Sequence, residues 1–206
     1  MFKKKDKKAQ TIETYNKSAA KFIARYDEIV GTRLTDIEEA FALIKTKTPR
    51  VFEIGFGSGK EAYQILKRTP HYGGIDVSEG MLVVAKKRNP KGEFMLADVE
   101  GFTFPKHLDI IFAFASLIHT KKAALSKVFD AMYEALNPGG VVRLSLKWGP
   151  KYKEVTKRDA YGVRTYYLYS KEDIEAFPAQ FLMLKCVLNK AEGQDWLELL
   201  LKKPTT

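Results

Sequence analysis

The sequence predicts an α/β fold: a largely parallel sheet, preceded by helices and closed by an antiparallel strand pair. Three observations carry this. Short apolar runs (Val51–Gly55, Gly74–Val77, Phe94–Ala97, Leu108–Ala113, Val141–Lys147) alternate with helix-period stretches, the pattern of βαβ units. A glycine cluster separates the first run from its helix. Two later runs, Phe181–Leu188 and Trp196–Leu201, lie close enough in the chain to pair antiparallel.

Taken in order, Ile12, Tyr15, Ala19, Phe22, Tyr26 and Ile29 recur at spacings of three and four, one apolar stripe of a helix that Gly31 ends. A second helix is expected over Thr35–Lys45, with Ile37, Ala40, Phe41 and Ile44 inward and Pro49 after it. Lys60 to Arg68 and Glu79 to Arg88 read as the helices after the first two runs. Leu125, Val128, Phe129, Met132 and Leu136 mark one face of a longer helix, which Asn137-Pro138-Gly139-Gly140 terminates. From Gly149 to Tyr169 the chain is polar and tyrosine-rich, a loop or short strands. Ser170-Lys-Glu-Asp173 has the spacing of a capping box for a helix that Pro178 stops.

Composition bounds the function. With 206 residues, 45% hydrophobic and 29% charged, the chain suits a single domain over residues 9–206 that needs no disulfide or metal to fold. Five lysines lie in the first eight residues, read as a disordered basic tip. That tip carries +4 of the net charge of +10. Cys186 is the only cysteine and His71, His107 and His119 are scattered, so no metal site is read; Cys186 is expected buried in a strand. The longest apolar run, about Ile110 to Ala115, is too short to span a bilayer. A cytoplasmic chain with no membrane or obligatory protein partner is expected.

Glu53-Ile-Gly55-Phe-Gly57-Ser-Gly59 is the most informative stretch. A strand running into glycines and then a helix lets backbone N–H groups approach a ligand closely. The phosphate-binding P-loop pattern fails at Ile54 and Glu61, and the dinucleotide pattern fails at Lys60, where its third glycine would stand. Asp76 ends the second run and Asp98 follows the third. Glu53, Asp76 and Asp98 are spaced by 23 and 22 residues, about one βα unit at each step, which brings all three acids to one sheet edge.

Gly-x-Gly-x-Gly behind an acid, with Asp76, Asp98 and Asn137-Pro-Gly-Gly140, resembles class I S-adenosylmethionine-dependent methyltransferases. The small bacterial-type members are most similar, through Ala115-Ser-Leu-Ile-His119, Leu144-Ser-Leu-Lys147, Thr14-Tyr15 and Arg164-Thr-Tyr166-Tyr167. Glu53 replaces the commoner Asp and keeps its charge. The resemblance implies a Rossmann-like fold with a seven-stranded, mostly parallel sheet. It implies S-adenosyl-L-methionine as cofactor, held by Glu53, Gly55, Phe56, Gly57, Gly59, Asp76, Val77, Met81, Asp98, Val99 and Phe114. Asp76 would meet the ribose hydroxyls and Asp98 the adenine amino group. Met81 is expected either beside the adenine or in the core.

On the acceptor side, His119 has the only imidazole near the reaction edge and is the candidate catalytic base; the alternative is that it orients its loop or caps the next helix. Tyr15, Tyr26, Lys147, Arg164 and Tyr166 are candidate acceptor-binding residues, Tyr15 and Tyr26 having plain helix packing as the alternative. The fourth run exits as Ala113-Phe-Ala-Ser-Leu-Ile, without the Pro-Pro-aromatic element of base-amine methylation, and no nucleic-acid module is present. The expected acceptor is a small molecule, with nucleic acid or protein as the less favoured acceptor and cofactor binding without catalysis as the remaining alternative.

Overall fold

The structure is a computed structural model that describes residues 6–29, 33–176, 180–191 and 193–205, with the backbone alone for 26–29. Two helices come first, α1 (Lys7–Ile29) and α2 (Leu34–Ala42). The alternating part follows as β1 (Val51–Ile54), α3 (Lys60–Leu66), β2 (Tyr72–Asp76), α4 (Glu79–Arg88), β3 (Glu93–Leu96) and β4 (Leu108–Ala113). A 3-10 turn, Leu117–His119, leads into α5 (Lys122–Ala135) and β5 (Leu136–Trp148). Then come β6 (Lys153–Asp159), β7 (Gly162–Tyr169), α6 (Lys171–Glu175), β8 (Leu182–Ala191) and β9 (Gln194–Lys202).

Strands β1 to β5 are parallel, in the order β3-β2-β1-β4-β5; β9 runs antiparallel to β5, and β8 to β9. Burial on both faces explains why β4 reads as an unbroken apolar run. Ile110 and Phe112 pack with Ile37, Ala62, Ile65 and Ala85 on the side of α2, α3 and α4. Ile111 and Ala113 pack with Leu125, Val128, Phe129 and Met132 of α5 on the other side. The capping box forms as its spacing requires: the Asp173 N–H donates to Ser170 Oγ and the Ser170 N–H to the Asp173 carboxylate.

Three features differ from the sequence reading. Among the described residues the sheet has nine strands, because Lys153–Tyr169 forms the hairpin β6–β7 where a loop or short strands were expected. Lys7 and Lys8 open α1, so the helix takes in the end of the expected tip; residues 1–5, Gly31 and Pro178 lie outside the described residues. Cys186 is only partly buried, since β8 has a neighbour on one edge alone.

The hairpin's position follows from hydrogen-bonding edges. Lys147 pairs with Trp196 of β9 on one side and with Leu168 of β7 on the other. The second side is the one that β4 occupies lower down, up to Ala113 opposite Leu144. Strand β7 therefore continues where β4 stops and stands over the carboxyl edge of the sheet. Helix α1 is fastened to it by three hydroxyls on one face. Thr11 Oγ1 accepts the Thr165 N–H (3.0 Å), Thr14 Oγ1 donates to the Val163 carbonyl (2.8 Å) and Ser18 Oγ to the Tyr161 carbonyl (2.7 Å). Three or four residues of helix rise match two residues of strand closely enough to repeat the contact. Gly162, at φ 136, permits the approach, since a Cβ there would lie 2.8 Å from the Thr14 side chain.

Thr11→Val should leave the buried Thr165 N–H unpaired and destabilise the protein by about 1–3 kcal/mol. Urea denaturation reads this as a lower midpoint; an unchanged midpoint would mean that water replaces the hydroxyl.

Candidate active site

Gly55, Gly57 and Gly59 all adopt left-handed backbone (φ 75, 51 and 73), a conformation that costs other residues free energy. A Cβ on Gly55 would stand 2.2 Å from Ser116 Cβ, so this glycine lets the loop meet the segment after β4. A Cβ on Gly57 would find no protein atom within 4 Å. The Gly59 carbonyl accepts the buried Asn89 amide (2.7 Å), which ties the loop to the end of α4.

Asp76, at the end of β2, braces this loop. Its Oδ2 accepts the Gly57 N–H (2.9 Å) and its Oδ1 the Ser78 N–H (2.9 Å). Burial raises the Asp76 pKa, against these backbone hydrogen bonds. The carboxylate accepts the Val77 N–H as well, so of its roughly four lone-pair sites one remains for a further donor. Glu53 is 2% exposed and accepts the Tyr72 hydroxyl at 2.6 Å. Burial, then the neighbouring Glu61 carboxylate, pushes it up to about 8, so it is largely protonated at neutral pH. Asp98 lies at the surface after β3, accepting the Glu100 N–H (3.0 Å), and Lys8 of α1 pairs with both Asp98 and Glu100.

Not every expected cofactor contact faces this crevice. Phe56 is buried, edge-on to Phe94 (4.9 Å), and Met81 packs against Ala19 and Phe22 of α1; both side chains belong to the core. Met81 thus follows the second of its two expected readings. Val77 is partly exposed, Val99 packs at the margin of the α5-side core, and Phe114 lies under the Arg33 guanidinium (5.1 Å).

The expected acceptor residues do converge. The Tyr15 hydroxyl lies 3.0 Å from His119 Nε2, and His119 Nδ1 lies 2.6 Å from the Thr165 carbonyl. A carbonyl only accepts, so Nδ1 carries the proton and Nε2 is the acceptor for Tyr15. Desolvation, and after it the Arg164 and Lys147 charges, pull His119 down to about 4. Tyr166 packs on the imidazole (4.9 Å). Arg164, 7% exposed, is bonded to Asp159 and to the Tyr15 hydroxyl and lies over Phe22 (4.7 Å) and Tyr166 (5.4 Å). Lys147 Nζ sits between Tyr166 and Trp196, 4.8 Å from each ring, and donates to Gln194 (3.1 Å). The Tyr26 side chain lies outside the described residues.

Several participants escaped the sequence reading. Tyr161 stacks on Phe22 (4.3 Å), and only its place in the tyrosine-rich stretch could have flagged it. Ala115, at φ 50, holds a strained backbone at the end of β4 while its N–H donates to Ser145 Oγ (2.9 Å). Ser116 Oγ is buried beside Gly55 and has no hydrogen-bond partner among the described residues. Among those residues no group of His, Cys, Asp and Glu could hold a metal ion, and no helix is long and apolar enough to cross a membrane.

Residues 51–140 match the family model described as a methyltransferase domain. The trans-aconitate 2-methyltransferase of Acidovorax ebreus (strain TPSY) is 32% identical over 126 residues, 60% of this chain and 48% of that one. The chain thus spans about half the length of such curated relatives. Among solved structures, Burkholderia thailandensis 1,6-didemethyltoxoflavin-N1-methyltransferase, with bound S-adenosylhomocysteine, superposes with a TM-score of 0.74 at 14% identity, covering 95% of this chain and 88% of that one. An S-adenosylmethionine-dependent methyltransferase from Clostridium acetobutylicum ATCC 824 gives 0.70 at 16%, covering 90% and 98%. These two share the fold.

Glu53 makes the ligand-free protein pH-sensitive. Its folded pKa lies above its unfolded value, so its contribution is complete below about 4.5 and is lost as pH rises toward about 8. Each pH unit within that window removes about 1.4 kcal/mol at most. Thermal unfolding should therefore show Tm falling from pH 5 to pH 8, with a flatter profile in Glu53→Gln.

Proposed function

We propose that this chain is a class I S-adenosylmethionine-dependent methyltransferase that transfers the methyl group of S-adenosyl-L-methionine to a small-molecule acceptor. The single observation that carries the cofactor half is the brace between Asp76 and the Gly55–Gly59 loop, with buried, unpartnered Ser116 Oγ beside it. A vicinal diol offers two donors, and the remaining lone-pair site of Asp76 can accept one of them. The open face at Gly57 lets a ligand lie against backbone, and Ser116 Oγ is a hydroxyl in want of a partner. The residues present therefore fit the cofactor. When bound, it supplies an electrophilic methyl on a sulfonium, so the protein's work is to hold, orient and exclude water.

In this reading Asp76 holds the ribose, and Asp98 accepts the adenine amino group on the oxygen lone pairs that Lys8 and Glu100 leave free. Glu53, held largely protonated by burial, can take on charge when a cationic ligand arrives. Helix α1 and the hairpin β6–β7 carry the candidate acceptor residues Tyr15, Arg164 and Tyr166, and the similarity to a trans-aconitate 2-methyltransferase supports a small acceptor. A cytoplasmic location goes with this reading, since Cys186 has no disulfide partner in the chain.

Calorimetry should detect S-adenosyl-L-methionine binding that Asp76→Ala weakens about ten- to hundredfold, the loss of charged hydrogen bonds worth 1.5–3 kcal/mol. Gly57→Val should weaken it as well, through backbone strain. Equal affinity in both variants would sink the cofactor reading. Turnover to S-adenosylhomocysteine only with RNA or protein present would replace the small acceptor, and binding without turnover on any acceptor would leave a binding protein.

A further inference from the structure

Among the described residues the sheet ends at three strands, and their sequences treat an open edge differently. Strand β3 has only four residues. Strand β6, Lys153-Glu-Val-Thr-Lys-Arg-Asp159, carries charge at five of its seven positions, a guard against pairing with another chain. Strand β8 has neither protection. It runs for ten residues and pairs with β9 alone, so its outer row of N–H and C=O groups faces no strand among the described residues.

Apolar side chains gather along this edge. Leu182, Leu184, Val187 and Leu188 are 53%, 46%, 41% and 56% exposed, four of the nine large hydrophobic side chains exposed among the described residues. The β8 cations are answered within the chain. Lys185 Nζ donates to both oxygens of Glu39 on α2 (2.8 and 3.0 Å), and Lys190 stands opposite Asp195 of β9. What remains is a nearly neutral apolar strip with open backbone groups. A strongly charged partner finds no opposite charge there, whereas a second strip of the same kind matches it in charge, polarity and hydrogen bonding.

We infer that the outer edge of β8 pairs antiparallel with β8 of a second copy of this chain, about a two-fold axis through Leu188. Two identical edges related by an axis normal to the sheet run antiparallel, keep like faces together and make each contact twice. The β8 register is irregular between Met183 and Lys185 and regular from Lys185 to Ala191, and Leu188 is the midpoint of the regular stretch. There Leu188 meets Leu188, Val187 meets Asn189, Cys186 meets Lys190 and Lys185 meets Ala191, with no like charges opposed. Val187 to Ala191 are all exposed, so that half of the strand is open to a partner. The joined sheet passes through seven strands of each copy, β3-β2-β1-β4-β5-β9-β8, within the range of open sheets in large α/β enzymes. One strand edge is small beside the roughly 1,200 Å² of a stable interface, so the dimer is weak and concentration-dependent.

Sedimentation of the full chain from about 5 to 500 μM should show monomer giving way to dimer, with a Kd on the order of 100 μM. Leu188→Lys sets two ammonium groups against each other at the axis, on a side chain already exposed, and should raise that Kd about tenfold or more with Tm unchanged. Val83→Lys, 69% exposed on α4, should leave it as it was. Hydrogen exchange on the unaltered chain decides the matter even if Leu188→Lys fails to fold: β8 amides should slow as concentration rises, and β6 amides should not. Monomer across the whole range, a dimer that folded Leu188→Lys leaves intact or Val83→Lys removes, or β8 exchange independent of concentration would each overturn the inference.

Discussion

Strand β5 is longer than β4, and the acceptor half of this molecule depends on that difference. Ala113 pairs with Leu144, and β4 then ends. The hydrogen-bonding edge of Lys147 and Trp148 still needs a partner, and β7 supplies it through Leu168 and Tyr169. With β7 in that place, Arg164, Thr165 and Tyr166 hang over the carboxyl edge of the sheet. The alternate residues Tyr161, Val163 and Thr165 present polar atoms to the hydroxyl face of α1. Tyr15, one turn from Thr11 and adjacent to Thr14, is delivered to His119 by the same contact.

The cofactor half is built on a different principle. There the backbone does most of the work, because left-handed glycines turn N–H groups and open surface toward the crevice. Asp76 spans the loop after β1 and the turn before α4, so one carboxylate ties the two walls of the crevice together. Lys8 joins the two halves, running from the start of α1 to Asp98 and Glu100 at the end of β3. The two halves therefore share one element, α1, which contacts β7 on one side and, through Asn16 and Ser78 (2.8 Å), the cap of α4 on the other.

Where the sequence was legible, local chemistry and burial agreed. The five parallel strands, the helix faces of α1 and α5 and the Ser170 capping box follow from periodicity, turn residues and capping spacing, all properties of neighbouring residues. The convergence of Glu53, Asp76 and Asp98 on one edge follows from the regular length of a βα unit. Phe56 and Met81 were harder, because a hydrophobic side chain beside a glycine loop reads the same whether it faces ligand or core. Arg143 was invisible for the opposite reason: a cation within an apolar strand, 2% exposed, makes sense only once Asp36 and Glu198 from distant segments are beside it.

What the sequence by itself determined is the fold class and the cofactor edge, since both rest on short-range patterns repeated at one-unit spacing. Only the tertiary structure decided that Lys153–Tyr169 is a hairpin, that it continues the edge β4 abandons, and that the Tyr15 hydroxyl meets His119. Those facts depend on pairings across 46 residues from His119 to Thr165 and across 104 from Tyr15 to His119. No local propensity encodes such pairings, because the hydrogen bonds that satisfy them exist only after the sheet edge and the helix have met.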